Sequence, residues 1–188
     1  MRLTGGQARS RRLKTPRGLP IRPTADRVRG ALFDILGSRV QGARFLDAYA
    51  GTGAVGCEAL SRGAARAVLL ERDRGALKLI GENLRLAPWS GSSQIIAGDV
   101  RRSLRELARR RALFDIIFLD PPYEAPGLPG ALVLAARILS PAGVLVLEHR
   151  SPPEMALPDT TGLRLVRTYR YGDTSLSVCR PAGGPGRA

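Results

Sequence analysis

Asp120-Pro121-Pro122-Tyr123 is the stretch whose residue types most directly suggest a reaction. An exocyclic amine on a nucleobase is a poor nucleophile, because its lone pair is delocalised into the ring. Two acceptors aimed at its N–H bonds favour the pyramidal form and receive charge as a new bond forms to nitrogen. The Asp120 carboxylate and the Pro121 carbonyl can supply that pair, since Pro121 and Pro122 hold the carbonyls in a fixed direction. Tyr123 can stack on a base taken out of its helix. The same letters also suit a plain strand followed by a Pro-Pro turn. They do not distinguish adenine N6, guanine N2 and cytosine N4.

A glycine loop gives the tetrapeptide its context. Phe45-Leu46-Asp47-Ala48-Tyr49-Ala50 reads as a buried strand running into Gly51-Thr52-Gly53-Ala54-Val55-Gly56 and a helix. Gly51, Gly53 and Gly56 have the G-x-G-x-x-G spacing of dinucleotide sites, and Glu71 stands where such sites put the acid for a ribose. NAD and S-adenosylmethionine (SAM) both fit that much. Asp47 separates them. A carboxylate there repels a pyrophosphate, whereas SAM brings a sulfonium and an ammonium. The simpler role for Asp47 is to cap the glycine turn.

Around these residues the chain alternates strand and helix signals. A helix starts at Arg22-Pro23-Thr24, with Thr24 as N-cap and Val28, Leu32, Ile35 and Leu36 on one face, and Gly37 ends it. Strands are expected over 45–50, 67–71, 94–97, 115–120 and 144–148, and helices over 54–62, 74–86, 101–111 and 128–139. Residues 163–171 and 175–180 form a closing hairpin turned at Gly172-Asp173. The apolar strands and β-α alternation imply a doubly wound, mostly parallel sheet. Asp47, Glu71, Asp99 and Asp120 then fall at successive strand ends, the rim where open α/β sheets bind ligands. Glu71 is assigned to ribose hydroxyls, Asp99 with the neighbouring Gly98 or Val100 amide to an adenine, and Asp120 to the substrate. The candidate cofactor residues are Asp47, Ala50, Gly51, Thr52, Gly53, Gly56, Glu71, Arg72, Asp99 and Val100.

Charge points to a polyanion. The net charge is +14, and only Lys14 and Lys78 among the basic residues are lysines. Arg2, Arg9, Arg11, Arg12, Lys14, Arg17 and Arg22 all precede the first acid, Asp26. A basic arm of this kind is the electrostatic footprint of nucleic acid, and it lacks the apolar face that would suit a membrane. The cysteines, Cys57 and Cys179, match no metal spacing and no disulfide framework. His149 is the one histidine, so a histidine-based metal site or triad has little to work with. No apolar run reaches transmembrane length, and no signal peptide follows the basic start. A cytoplasmic monomer with no metal is the expectation.

These residues together resemble a known family, the RsmD-type methyltransferases that modify N2 of a guanine in bacterial 16S ribosomal RNA. The resemblance covers roughly residues 2 to 180. It includes Arg2-Leu3-Thr4-Gly5-Gly6 with Arg12-Leu13, Ile21-Arg22-Pro23-Thr24-Ala25-Asp26-Arg27-Val28-Arg29, the glycine loop with Glu58 to Ala64, and Asp120 to Tyr123. The block from Arg22 to Arg29 is the distinguishing motif. The chain departs from the family's frequent second Gly-Arg at Arg9-Ser10-Arg11-Arg12.

The resemblance implies a Rossmann-like, seven-stranded sheet whose last strand is antiparallel. It implies SAM as cofactor, S-adenosylhomocysteine as product, and 16S rRNA or a small-subunit assembly intermediate as partner. It sets Arg22 and Thr24 beside the cofactor and Arg2, Arg9, Arg11, Arg12, Lys14 and Arg27 against RNA. The expected organisation is a basic arm or hairpin over 1–22, a methyltransferase domain over 23–180 and a disordered tail over 181–188. Three other readings compete. A DNA adenine-N6 methyltransferase lacks room here for a target-recognition domain. A non-catalytic RNA-binding assembly protein has no need of an intact Asp47, Gly51, Gly53 and Asp120. An NAD oxidoreductase has no use for the tetrapeptide.

Overall fold

The computed structural model describes residues 1–16, 23–87, 89, 91–122, 127–151 and 157–183. Arg17, Arg22, Tyr123 and the end of the tail, and the side chain of Thr24, lie outside that set. The chain divides into two compact units, Met1–Asp99 and the remainder from Val100.

The first unit holds α1 (Pro23–Leu36), β1 (Arg44–Asp47), α2 (Ala54–Ser61), β2 (Arg66–Glu71), α3 (Arg74–Leu84) and β3 (Ser93–Ala97). Its strands run parallel in the order β3-β2-β1, with Leu46 opposite Val68 and Leu69 opposite Ile95. Ala67, Val68, Leu69 and Leu70 are all buried. A strand covered on both faces needs such a continuous apolar run. Val28, Leu32 and Leu36 of α1 are buried as their helical spacing requires. The Asp73 carboxylate caps α3 by accepting from the Ala76 amide at 2.8 Å.

Residues 1–16 form a small hairpin closed by an antiparallel bridge between Arg2 and Arg12. Leu3, Ala8 and Leu13 are buried in the same cluster as Ala50, Ala54, Leu69 and Ile80. Of the arm or hairpin expected over 1–22, residues 1–16 are thus a hairpin. Three apolar anchors are enough to seat them on the first unit.

The second unit holds α4 (Val100–Arg109), β4 (Phe114–Leu119), α5 (Leu128–Arg137), β5 (Leu139–Arg150), β6 (Leu163–Tyr171) and β7 (Thr174–Pro181). β4 and β5 are parallel, while β7 is antiparallel to both β5 and β6. The β6–β7 turn falls at Gly172-Asp173, where the glycine is left-handed at φ +62°. Seven strands in all, mostly parallel and with an antiparallel close, make the Rossmann-like α/β fold expected.

Element ends differ from the sequence reading in two informative places. β1 stops at Asp47 rather than Ala50, because the Ala50 carbonyl already accepts from Gly53 N–H at 2.7 Å in the loop turn. β5 starts at Leu139 rather than Val144. Its Ser140-Pro141-Ala142-Gly143 reads as a turn, but a register shift between Phe114 and Ile116 of β4 absorbs the irregularity.

Candidate active site and cofactor loop

The glycine loop is built by backbone geometry that the sequence dictates. Gly53 opens α2 at φ +76°, a left-handed conformation that costs a residue with a Cβ. A Cβ on Gly56 would sit 2.7 Å from Leu69 Cδ2, so the third glycine lets α2 press against β2. Two acids then fix the loop. Asp47 is buried and its Oδ2 accepts from the Gly56 amide at 3.1 Å. Glu71 Oε2 accepts from Gly51 N–H at 2.8 Å, while its Oε1 accepts from the amides of Arg72 and Asp73 at 2.7 and 2.9 Å. The turn-capping role considered for Asp47 is therefore present in the geometry. Glu71 is likewise tied to the loop before any ribose is considered.

Asn83 was not anticipated. This fully buried side chain on α3 donates from Nδ2 to the Thr52 carbonyl at 2.9 Å. It also accepts from Lys14 N–H at 2.7 Å and donates to the Lys14 carbonyl at 3.1 Å. One amide thus ties the N-terminal hairpin to the glycine loop. Its signal in the sequence was a lone polar residue three after Ile80, on the inward face of α3.

Glu58, on α2, is the second unforeseen centre. It is fully buried and accepts from Thr4 N at 2.9 Å, Thr4 Oγ1 and Gly5 N at 2.8 Å each, and Arg62 Nε at 2.9 Å. Arg29, 4% exposed, places Nε 3.5 Å from Glu58 Oε2 and donates to Asp26 Oδ1 at 2.9 Å and to the Arg2 carbonyl at 2.6 Å. Arg29 lies in the Arg22–Arg29 block, so that motif serves at least in part to hold the hairpin.

The six basic residues assigned to RNA, Arg27 on α1 among them, are all exposed, and three have a partner within the chain. Arg2 donates to the Ser10 carbonyl at 3.0 Å, Arg11 to the Leu86 carbonyl, and Lys14 pairs with Glu82 at 3.1 Å. Arg9, Arg12 and Arg27 are exposed.

In the second unit Asp120 directly follows β4. Leu119 is in register with Leu147 of β5, so the next pair, Asp120 and Glu148, are neighbours on one face. Solvent reaches Asp120, yet protein atoms crowd its carboxyl and push its pKa up to about 6 by desolvation. Glu148 is raised to about 8, by burial first and by the Asp120 charge second. Two carboxyls so placed do not ionise together. One negative charge is the resting state at neutral pH, and it belongs to the pair.

The histidine and the two thiols are held by their surroundings. His149 Nε2 lies 2.8 Å from Ser177 Oγ and Nδ1 2.9 Å from the Arg150 carbonyl. Cys57 and Cys179 are both buried thiols, each raised to about 12 mainly by burial. Asp99 is exposed and Val100 buried at the end of the first unit and the start of the second. Among the described residues, no group of His, Cys, Asp and Glu is arranged to hold a metal ion, and no helix is long and apolar enough to cross a membrane.

Several known proteins are similar to this chain. The Bacillus subtilis protein YlbH is 36% identical over 186 residues, covering 97% of this chain and 100% of YlbH. Ribosomal RNA small subunit methyltransferase D of Escherichia coli K12 is 39% identical over 124 residues, which is 66% of this chain and 61% of that relative. The solved structure of Escherichia coli yhhF superimposes with a TM-score of 0.82 at 31% identity, covering 96% of this chain and 97% of yhhF. The family described as Conserved hypothetical protein 95 matches residues 1–180, and the chain belongs to it as an RsmD-type methyltransferase.

Proposed function

We propose that the chain transfers a methyl group from SAM to the exocyclic N2 of a guanine in 16S rRNA. The observation that carries this reading is the Asp120–Glu148 corner ahead of Pro121-Pro122. It offers one carboxylate and fixed carbonyls to an amine, while both thiols are buried and kept protonated. Ribosomal RNA is the substrate class in the name of the Escherichia coli relative, and the exposed Arg9, Arg12 and Arg27 suit its phosphates.

The cofactor residues fit SAM by charge and by shape. Asp47, Glu71 and Asp99 put three acids around the first unit's strand ends, which favours a sulfonium and an ammonium over a pyrophosphate. Asp47, Ala50, Gly51, Thr52, Gly53 and Gly56 would hold the methionine part, Glu71 and Arg72 the ribose, and Asp99 with Val100 the adenine. Arg22 and Thr24 would lie beside it. When bound, SAM supplies a methyl already activated by its sulfonium.

The chain's own work is then positional. Ionised Asp120 and the Pro121 carbonyl accept from the two N–H bonds, hold the amine pyramidal and offset the positive charge that develops on nitrogen. Tyr123 would stack on the flipped base. Neither metal ligation nor covalent attachment is asked of any residue, so alignment accounts for most of the rate. The protein works on rRNA or a partly assembled small subunit in the cytoplasm, as a monomer.

The test is labelled methyl transfer from SAM, offered in parallel to unmethylated 16S rRNA, partly assembled small subunits and duplex DNA. N2-methylguanine from rRNA or subunits is the expected product. Label confined to adenine in DNA would overturn the reading.

A further inference from the structure

Strand β6 is the outer edge of the sheet, with β7 as its one neighbour. Its sequence, Leu163–Tyr171, carries Arg164, Arg167 and Arg170 and no acid. Register decides which of its side chains share a face with the catalytic corner. Tyr169 stands opposite Leu176 of β7, and Leu176 opposite Glu148 of β5. Glu148 neighbours Asp120, so one row runs from Asp120 through Glu148 and Leu176 to Tyr169 at the sheet edge. Arg167 opposite Val178, and Arg164 opposite Arg180, lie two and four residues further along β7 and share that face. Three strand spacings put Tyr169 about 14 Å from Asp120.

Arg167 Cζ lies 4.8 Å from the centre of the Tyr169 ring, with the arginine exposed and the tyrosine half-buried. A cation that solvent would leave free to wander is thus held over a ring. Arg62 lies over Phe33 at a similar 4.9 Å, but there the guanidinium also donates to buried Glu58 and closes an internal network. The Arg167–Tyr169 pair instead stands at the open edge. A register shift between Leu165 and Arg167 makes Val166 an extra residue in the strand. Leu165 and Val166 are exposed, at 43% and 45%. The bulge nevertheless breaks the ladder that an added peptide strand or a second copy would have to extend.

We infer that the Arg167–Tyr169 pair is a stacking platform for an unpaired base of the RNA substrate near the target, with Arg164 taking a phosphate beside it. This rests on the rRNA reading given above. Guanidinium planes and aromatic rings are the surfaces on which single-stranded bases stack. An arginine already ordered by a ring loses less freedom on binding. A guanine whose amine reaches Asp120 has left its own stack, so its neighbours gain from a new one. At the ~3.4 Å rise of a stacked strand, the span from Asp120 is about four nucleotides.

The test uses the full chain and an unmodified 16S rRNA transcript, with binding measured across a range of KCl. Arg167→Lys keeps the charge and loses the plane, and is expected to weaken binding roughly tenfold with the salt slope unchanged. Tyr169→Leu keeps an apolar side chain and loses the ring, with the same expected result. Arg164→Gln should flatten the slope by roughly one. SAM affinity stays as in the parent in all three. Thermal melts check folding, and exposed Arg167 carries the test should Tyr169→Leu not fold. Ultraviolet crosslinking of the parent to the transcript, read by mass spectrometry, should place a nucleotide on Tyr169. Parent-like RNA binding by Arg167→Lys would overturn the platform, with methylation of the transcript by the parent still standing. A parent dimer that Arg167→Lys dissociates while RNA binding is kept would overturn it too and give the edge to a second copy. A parent that neither binds nor methylates the transcript would instead remove the rRNA reading on which the platform depends.

Discussion

Asn83 and Thr52 are joined by a hydrogen bond of 2.9 Å that links the N-terminal hairpin to the glycine loop, because the same Asn83 amide is doubly bonded to Lys14. All three bonds are made by one buried side chain. Replacing it leaves the Thr52 and Lys14 carbonyls and the Lys14 amide short of partners, and each unsatisfied group costs about 1–3 kcal/mol where water cannot reach it.

Asn83→Leu is accordingly expected to lower the unfolding midpoint and also to weaken SAM binding severalfold. Asn83→Ala, which leaves room for water, should recover part of the stability. Isothermal titration with SAM against thermal melts of the same variants separates the two effects. Lost stability with unaltered SAM affinity would confine Asn83 to a packing role.

Glu58 predicts a different failure. Its carboxylate is the common acceptor for Thr4, Gly5 and Arg62 and the counter-charge of buried Arg29. Glu58→Ala leaves buried Arg29 with Asp26 as its remaining counter-charge and deprives Thr4, Gly5 and Arg62 of their acceptor, so the cost approaches the ~3–5 kcal/mol of breaking a buried pair from one side. Removing both, in Glu58→Ala with Arg29→Met, is expected to cost less than the single change. Denaturant unfolding of the four proteins in that cycle measures the difference. The hairpin should become protease-sensitive first in the single variant.

Asp120→Ala is expected to lower the rate of transfer by about a hundred- to a thousandfold and leave SAM affinity nearly unchanged. Asp120→Asn retains one acceptor oxygen and should fall between. Single-turnover transfer and SAM titration check the pair of claims. An equal loss of both quantities would make Asp120 a cofactor residue.

How far the sequence reached depends on the range of the interactions concerned. The strands at Val68–Leu70 and Ile116–Leu119 were legible because full burial requires apolar runs, and Gly53 because a left-handed helix start nearly demands glycine. Asp47, Glu71 and Asp120 were legible as strand-end acids. What was missed is pairing across long sequence separation: Asn83 with Lys14 and Thr52, and Glu58 with Thr4 and Arg29. No local pattern encodes those partners. Glu148 was visible only as the end of a strand. Its meaning comes from the β4–β5 register, which places it beside Asp120.

That pair fixes the pH dependence. Both carboxyls are raised on folding, Asp120 from 3.8 to about 6 and Glu148 from 4.5 to about 8. The folded chain therefore holds more protons than the unfolded one across these intervals. Their contribution to stability is most favourable when both are protonated. It declines as pH rises through each window, first for Asp120 and then for Glu148. Glu148→Gln cannot ionise, so it should gain stability relative to the parent as pH rises through the upper window and match it in acid. Activity runs the other way, since Asp120 accepts N–H bonds more strongly, and offsets charge developing on nitrogen, when it is ionised. Single-turnover rates in the parent are expected to rise through an apparent pKa of about 6. Glu148→Gln should keep that acid limb, because Glu148 is still neutral while Asp120 titrates, and should lose any inflection near 8. A rate profile in which Glu148→Gln moves the acid limb instead would reverse the order in which the two carboxyls give up their protons.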